Sequence, residues 1–198
     1  MSAPTKTLLT ATPEEQAAII AAVRAAEGHT VAGPEHVDGL VALLADPRVS
    51  DPIYDIPRPI NRQNVAKWIA DSEAQRQLGR CLLTVNFDAA GQVAGYARFS
   101  ICPERSSGEL AGARRADLQN SGGGRHGVAR SIAWMFEVLK VRLIGLTAAL
   151  DNVRSAKAID GAGFKRMGEV ESVKPDGTTR RSLYWELTRD EWRMRHRL

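Results

Sequence analysis

The chain has 198 residues, 43% of them hydrophobic, which is enough apolar material for one substantial core and too short a chain for two. Lys and Arg number 27 against 23 Asp and Glu; this small positive excess suits anionic small molecules and does not by itself mark a nucleic-acid binder. Two cysteines and four scattered histidines offer neither a disulfide framework nor metal-ligand spacing. The N-terminus lacks a signal-peptide layout and no apolar run is long enough to span a membrane, so a soluble cytoplasmic protein with no metal and no membrane contact is expected.

In chain order, Thr12, Pro13 and Glu15 form a capping box with proline at the first helical position, predicting an alanine-rich helix through about Ala26. "HTVAG" reads as a short strand. A second helix starts at Pro34, with Val37, Leu40, Val41 and Leu44 on one face, and after the Pro-rich "DPIYDIPRPIN" a third runs to about Gln77. "CLLTVNF" and "QVAGYARFSI" are strand-like and are joined by a turn ending in Gly91, and "SGELAGAR" is a further strand. Val128, Ile132, Met135, Phe136 and Leu139 then share the face of an amphipathic helix. "RLIGLTAAL" is apolar on both faces, as a covered strand should be. A helix over about 152–162 ends at Gly163, and two closing strands are joined by the turn Lys174–Gly177. The order calls for a mixed α/β fold, with a mostly antiparallel central sheet and helices on both faces. His29, His36 and His196 have no partners at catalytic spacing and read as surface residues.

The stretch "QNSGGGRHGVAR", residues 119–130, sits between a strand and a helix. Unpaired N–H groups and the positive dipole end at a helix start bind anions, and glycines let a ligand approach the backbone closely. Gly122, Gly123, Gly124 and Gly127 fit that use, with Arg125 and His126 as added donors. A flexible connection without a ligand explains the same glycines.

Residues 136–170 resemble the C-terminal half of the GCN5-related N-acetyltransferases, in particular the branch of the ribosomal-protein alanine acetyltransferases. Asp151, Asn152 and Val153, Ser155, Gly163 and Phe164, and the closing "LTRDEW" carry the resemblance. It begins at about residue 28, leaving 1–27 as an N-terminal extension with a helix and 28–198 as the acetyltransferase-like domain. The resemblance implies acetyl-CoA as co-substrate, held at residues 122–127 with help from Asn152 and Ser155. Gln119, Gly122 and Gly124 fit the family's phosphate-loop spacing. It further implies an amine acceptor, Glu109 as general base and Ser155 as proton donor to the leaving thiolate. Many relatives use a tyrosine one turn beyond that serine, where this chain has Ile159. Glu109 is read equally well as an outward-facing strand residue, and Ser155 and Asn152 as helix-start caps. The acceptor is expected to be a protein N-terminus, including that of a ribosomal protein, or a small-molecule amine, and the enzyme a monomer or homodimer. A noncatalytic protein of the same fold, or an RNA- or ribosome-associated one, are the alternatives.

Overall fold

A computed structural model describes residues 6–119, 123–173 and 177–196, with the backbone alone for 123–126 and 172–173. The capping box forms as expected: the Thr12 side chain accepts from the Glu15 amide and the Glu15 carboxylate from the Thr12 amide, opening α1 (Pro13–Ala25). Short strand β1 (Thr30–Val31) is followed by α2 (Val37–Leu44), the single turn α3 (Pro47–Ser50) and α4 (Arg62–Gln77). Strands β2 (Cys81–Phe87), β3 (Val93–Cys102) and β4 (Ser107–Arg114) form the meander. Then come α5 (Gly123–Glu137), β5 (Leu143–Ala149), α6 (Val153–Gly161), β6 (Lys165–Val173), β7 (Thr179–Thr188) and α7 (Arg189–His196). Gly163 takes the left-handed conformation expected after α6, with φ +89°. Residues 174–176 of the expected closing turn lie outside the described residues.

The seven strands are ordered β1-β2-β3-β4-β5-β7-β6, antiparallel throughout except for β4 against β5. Strand alternation divides the side chains between two cores. Leu82, Phe99, Ile144, Leu146, Trp185 and Leu187 point to the first face, where they meet Ile19 and Val23 of α1, Ile132, Met135, Phe136 and Leu139 of α5, Ala156 of α6 and Trp192 of α7. Leu83, Val85 and Tyr96 point to the second, against Leu40, Leu43 and Leu44 of α2 and Val65 and Ile69 of α4. The second face is therefore helix-covered over β2–β4, whereas the polar residues Ser182, Tyr184 and Glu186 of β7 occupy it further along the sheet.

His29 corrects the sequence expectation of a surface residue. It is half-buried, with its ring 4.4 Å from Trp134 and 5.5 Å from Phe99, both edge-on, and burial lowers its pKa. An isolated histidine in a sequence carries no sign of the aromatic partners the fold brings to it.

Phe136 is fully buried in the first core, so Phe136→Ala is expected to cost about 3–5 kcal/mol through lost burial and the cavity left behind, read as a lower denaturation midpoint.

Candidate active site

Parallel pairing of β4 with β5 extends over three residue pairs, Ser107 with Leu143, Gly108 with Ile144 and Glu109 with Gly145. Past that point β4 stays with β3 as far as Arg114, and β5 stays with β7 as far as Ala149. The two strands thus part like a fork. The backbone groups that residues 110–114 and 146–149 turn towards each other have no strand partner across the gap, so the opening is lined by hydrogen-bonding groups suited to an extended ligand carrying amides.

Two helices, α5 and α6, start near the open end of the fork. The first, α5, begins at Gly123, several residues before its first apolar position, Val128. Gly123, Gly124 and Gly127 therefore lie in its opening turns and not in a loop ahead of it. Gly122 lies outside the described residues, as do the side chains of Arg125 and His126. A Cβ at Gly127 would meet nothing within 4 Å, leaving that side of the helix open. At the start of α6 the Asn152 side chain accepts from the Ser155 amide at 3.0 Å, so the capping role read from the sequence is present and the Asn152 side-chain NH2 is left as a donor. Leu150 and Val153 on either side are exposed at 42% and 59%, an apolar rim that the sequence analysis did not single out. Gln119 joins the two limbs of the fork: it accepts from Arg154 at 2.8 Å and donates to the Arg114 carbonyl at 2.9 Å.

At the closed end, sheet register sets Cys81, Ser100, Glu109, Gly145, Glu186 and Lys165 in one row on the second face. Glu109 is half-buried and accepts from the Thr147 hydroxyl at 3.2 Å. Tyr184, whose cross-strand partner is Thr147, lays its hydroxyl over Gly145 and donates it to Glu186 at 2.9 Å. Burial, then the Glu186 hydrogen bond, pushes the Tyr184 phenol above its ordinary pKa, so it stays protonated at neutral pH. The segment between α3 and α4 is pinned at two points on this face. Asp55 pairs with Arg98 of β3 at 3.3 Å, and Tyr54 lies under Arg180 of β7, with the guanidinium 4.2 Å from the ring centroid. The strands β4 and β5, which carry Glu109 and Thr147, run between those two anchors in the sheet order. Thr147, Tyr184, Glu186, Arg98 and Tyr54 escape sequence reasoning because each acquires its place through cross-strand register; the alternation in "SLYWEL" was the one usable sign that Tyr184 and Glu186 share a face.

Chemistry elsewhere is sparse. Burial raises the Cys81 thiol pKa, which disfavours the thiolate a nucleophile needs. Among the described residues no group of three His, Cys, Asp or Glu side chains gathers to hold a metal, and no helix is long and apolar enough to cross a membrane.

Comparison with known proteins agrees with this geometry. The family model described as an acetyltransferase (GNAT) domain matches residues 31–165. Among solved structures, the ribosomal-protein-S5-alanine acetyltransferase of Vibrio fischeri superposes with a TM-score of 0.68 at 16% identity, over 82% of this chain and 92% of that one. A mutant of the spermidine N-acetyltransferase of Vibrio cholerae gives a TM-score of 0.66 at 16% identity, over 84% and 97%. No curated protein sequence matches.

A Cβ on Gly145 would lie 2.5 Å from the Tyr184 hydroxyl. Gly145→Ala is expected to displace the tyrosine and destabilise the protein by about 1–3 kcal/mol, and adding Tyr184→Phe should recover part of the loss in a thermal melt, since the nearest clashing atom is then gone.

Proposed function

The chain belongs to the GNAT acetyltransferases, and we propose from this premise that it moves the acetyl group of acetyl-CoA to a primary amine by direct attack in a ternary complex, with Glu109 as general base. The observation that carries the reading is the fork itself, with a carboxylate at its closed end and two helix N-termini at its open end.

A chain of amides such as the pantetheine arm fits between strands that present unpaired N–H and C=O groups, and a pyrophosphate fits the glycine-rich start of α5, where the dipole and unpaired amides favour negative charge. Gly122, Gly123, Gly124 and Gly127 are proposed as the residues that let the phosphates approach the backbone, since glycine has no side chain to obstruct them, with Arg125 and His126 as further phosphate contacts. The NH2 group of Asn152 supplies a donor on the opposite limb. When bound, acetyl-CoA supplies the thioester.

Glu109 takes the proton of the acceptor ammonium, directly or through a water, because an amine attacks only through its free lone pair. Thr147 donates to one oxygen of Glu109, which orients the carboxylate. As the C–N bond forms and the C–S bond breaks, the attacking nitrogen gives up its second proton to water and charge passes to sulfur; the Ser155 hydroxyl at the start of α6 is proposed to donate the proton that completes the thiol, recovering its own from solvent, to which Glu109 returns the first proton. Ile159 cannot take over that donation. The acceptor is a primary amine presented on the second face, near the segment pinned through Tyr54 and Asp55. Protein N-termini, including a ribosomal-protein N-terminus, and small-molecule amines are to be screened with thiol detection of coenzyme A release.

Glu109→Gln is expected to leave acetyl-CoA affinity near wild type by calorimetry and to lower turnover by about 100-fold or more; an unchanged turnover would remove Glu109 as the base. Ser155→Ala should lower turnover by less, because water substitutes for the hydroxyl, again with affinity largely preserved. Gly124→Val places a branched side chain in the first turn of α5 and should weaken acetyl-CoA binding more than it lowers the melting temperature, and an unchanged dissociation constant would move the phosphate site elsewhere.

A further inference from the structure

Glu186 is 4% exposed, and a carboxylate is rarely that buried unless hydrogen bonds compensate for its lost hydration. Its partners come from two sources. Tyr184 donates from the same strand at 2.9 Å. The other three donors belong to the N-terminal segment: the Lys6 amide at 2.7 Å, the Thr7 amide at 3.0 Å and the Thr7 hydroxyl at 2.5 Å. That segment lies outside residues 31–165, the stretch matched to the family. It is fastened at further points, since Lys6 Nζ donates to the Met167 carbonyl, Arg142 donates to the Thr10 carbonyl and the Ala11 amide donates to the Glu104 carbonyl. Arg142 and Glu104 precede β5 and β4, so the segment passes beneath the closed end of the fork. From there it enters α1, which packs in the core of the opposite face.

We propose that residues Lys6–Ala11 form a strap that is a working part of the active site: the strap holds Glu186, Glu186 holds Tyr184, and Tyr184 positions β5 at the apex of the fork beside Glu109. In its effect on catalysis this rests on the acetyltransferase reading. Gly145 is the last residue of β5 paired with β4, and its partner there is Glu109. The Tyr184 hydroxyl rests on Gly145 in space that no other residue type would leave open. A tyrosine has one O–H to donate, and here it goes to Glu186 and not to the Glu109 carboxylate. Glu186 in turn can hold that O–H only while its remaining capacity is satisfied. The strap supplies three of the four donors to a carboxylate that is 4% exposed. Lys6, Thr7, Tyr184 and Glu186 are positioning residues, and none is placed in contact with the reacting atoms.

Four full-length variants test the chain of contacts. Thr7→Pro removes the amide and hydroxyl donors together, Thr7→Ser keeps both, Glu186→Gln keeps the shape and removes the charge, and Thr7→Pro with Glu186→Gln closes a double-mutant cycle. Thr7→Pro and Glu186→Gln are each expected to lower kcat by about 10-fold with the acetyl-CoA dissociation constant within about 2-fold of wild type, Thr7→Ser to restore wild-type turnover, and the double variant to lose no more than about 2-fold beyond the worse single. Losses that multiply in the double variant, or a Thr7→Pro enzyme with wild-type kcat, overturn the proposal. Hydrogen–deuterium exchange supplies an arm that needs neither acceptor nor acetyl-CoA. In Thr7→Pro and in Glu186→Gln the amides of residues 143–149 should exchange faster while those of 62–77 remain as in wild type. Unchanged exchange over 143–149 overturns the strap even if acetyl transfer is found. Faster exchange across the whole protein would make the segment a general stabiliser and also overturn it. Failure of wild type to transfer acetyl groups to any amine would sink the acetyltransferase reading and leave the exchange result to decide the strap.

Discussion

The candidate site of this protein follows from a competition for β5. The strand has two neighbours, and it pairs with β7 along its whole length but with β4 over three residues only. Antiparallel pairing with β7 is reinforced on the first face by Leu146 and Trp185, which are both buried there. Beyond Gly145, β4 is in turn held by β3. Neither strand can follow the other without breaking a longer ladder, so the sheet opens and leaves main-chain donors and acceptors without a strand partner across the gap. A sheet edge is ordinarily a liability; enclosed between two halves of one sheet, it becomes a slot for a ligand with amides of its own.

The same divergence decides which side chains meet at the apex of the fork. At the last paired position, Glu109 and Gly145 stand side by side, with Glu186 next in the row. Strands two apart in a sheet are about 10 Å from each other, so two carboxylates flank a glycine on the second face. Their surroundings differ. Glu109 is half-buried near the pinned segment of Tyr54 and Asp55, and Glu186 is sealed under the N-terminal strap. Glu109 is left partly accessible, as its proposed role as base requires, while Glu186 accepts from four donors.

Local patterns in the sequence were sufficient wherever local forces dominate. The capping box of α1, the period-two runs of β2–β4, the apolar run of β5, the cap at Asn152 and the positive-φ glycine after α6 all appear as anticipated, since each depends on residues within a few positions of one another. The helical start at Gly123 was less legible. Glycine disfavours helix by about 1 kcal/mol relative to alanine, so a sequence pattern places the helix at its first apolar residue, whereas in the folded protein Ile132, Met135, Phe136 and Leu139 of the same helix are anchored in the core and the helix extends back through the glycines.

Residue identity and spacing alone determined that this chain would be a mixed α/β protein with a glycine-rich segment ahead of a helix, a glutamate on a strand and a side-chain cap at the start of α6. Contacts between residues far apart in sequence were decided by tertiary structure alone. The bond from Thr147 to Glu109 spans 38 positions, the edge-on contact of His29 with Trp134 spans more than 100, and Lys6 reaches Glu186 across 180. Periodicity states which face of an element is apolar; it does not state which strand will lie beside which, or in what register. Those are set by how the two cores pack, and with them the positions of the fork, its carboxylates and the strap.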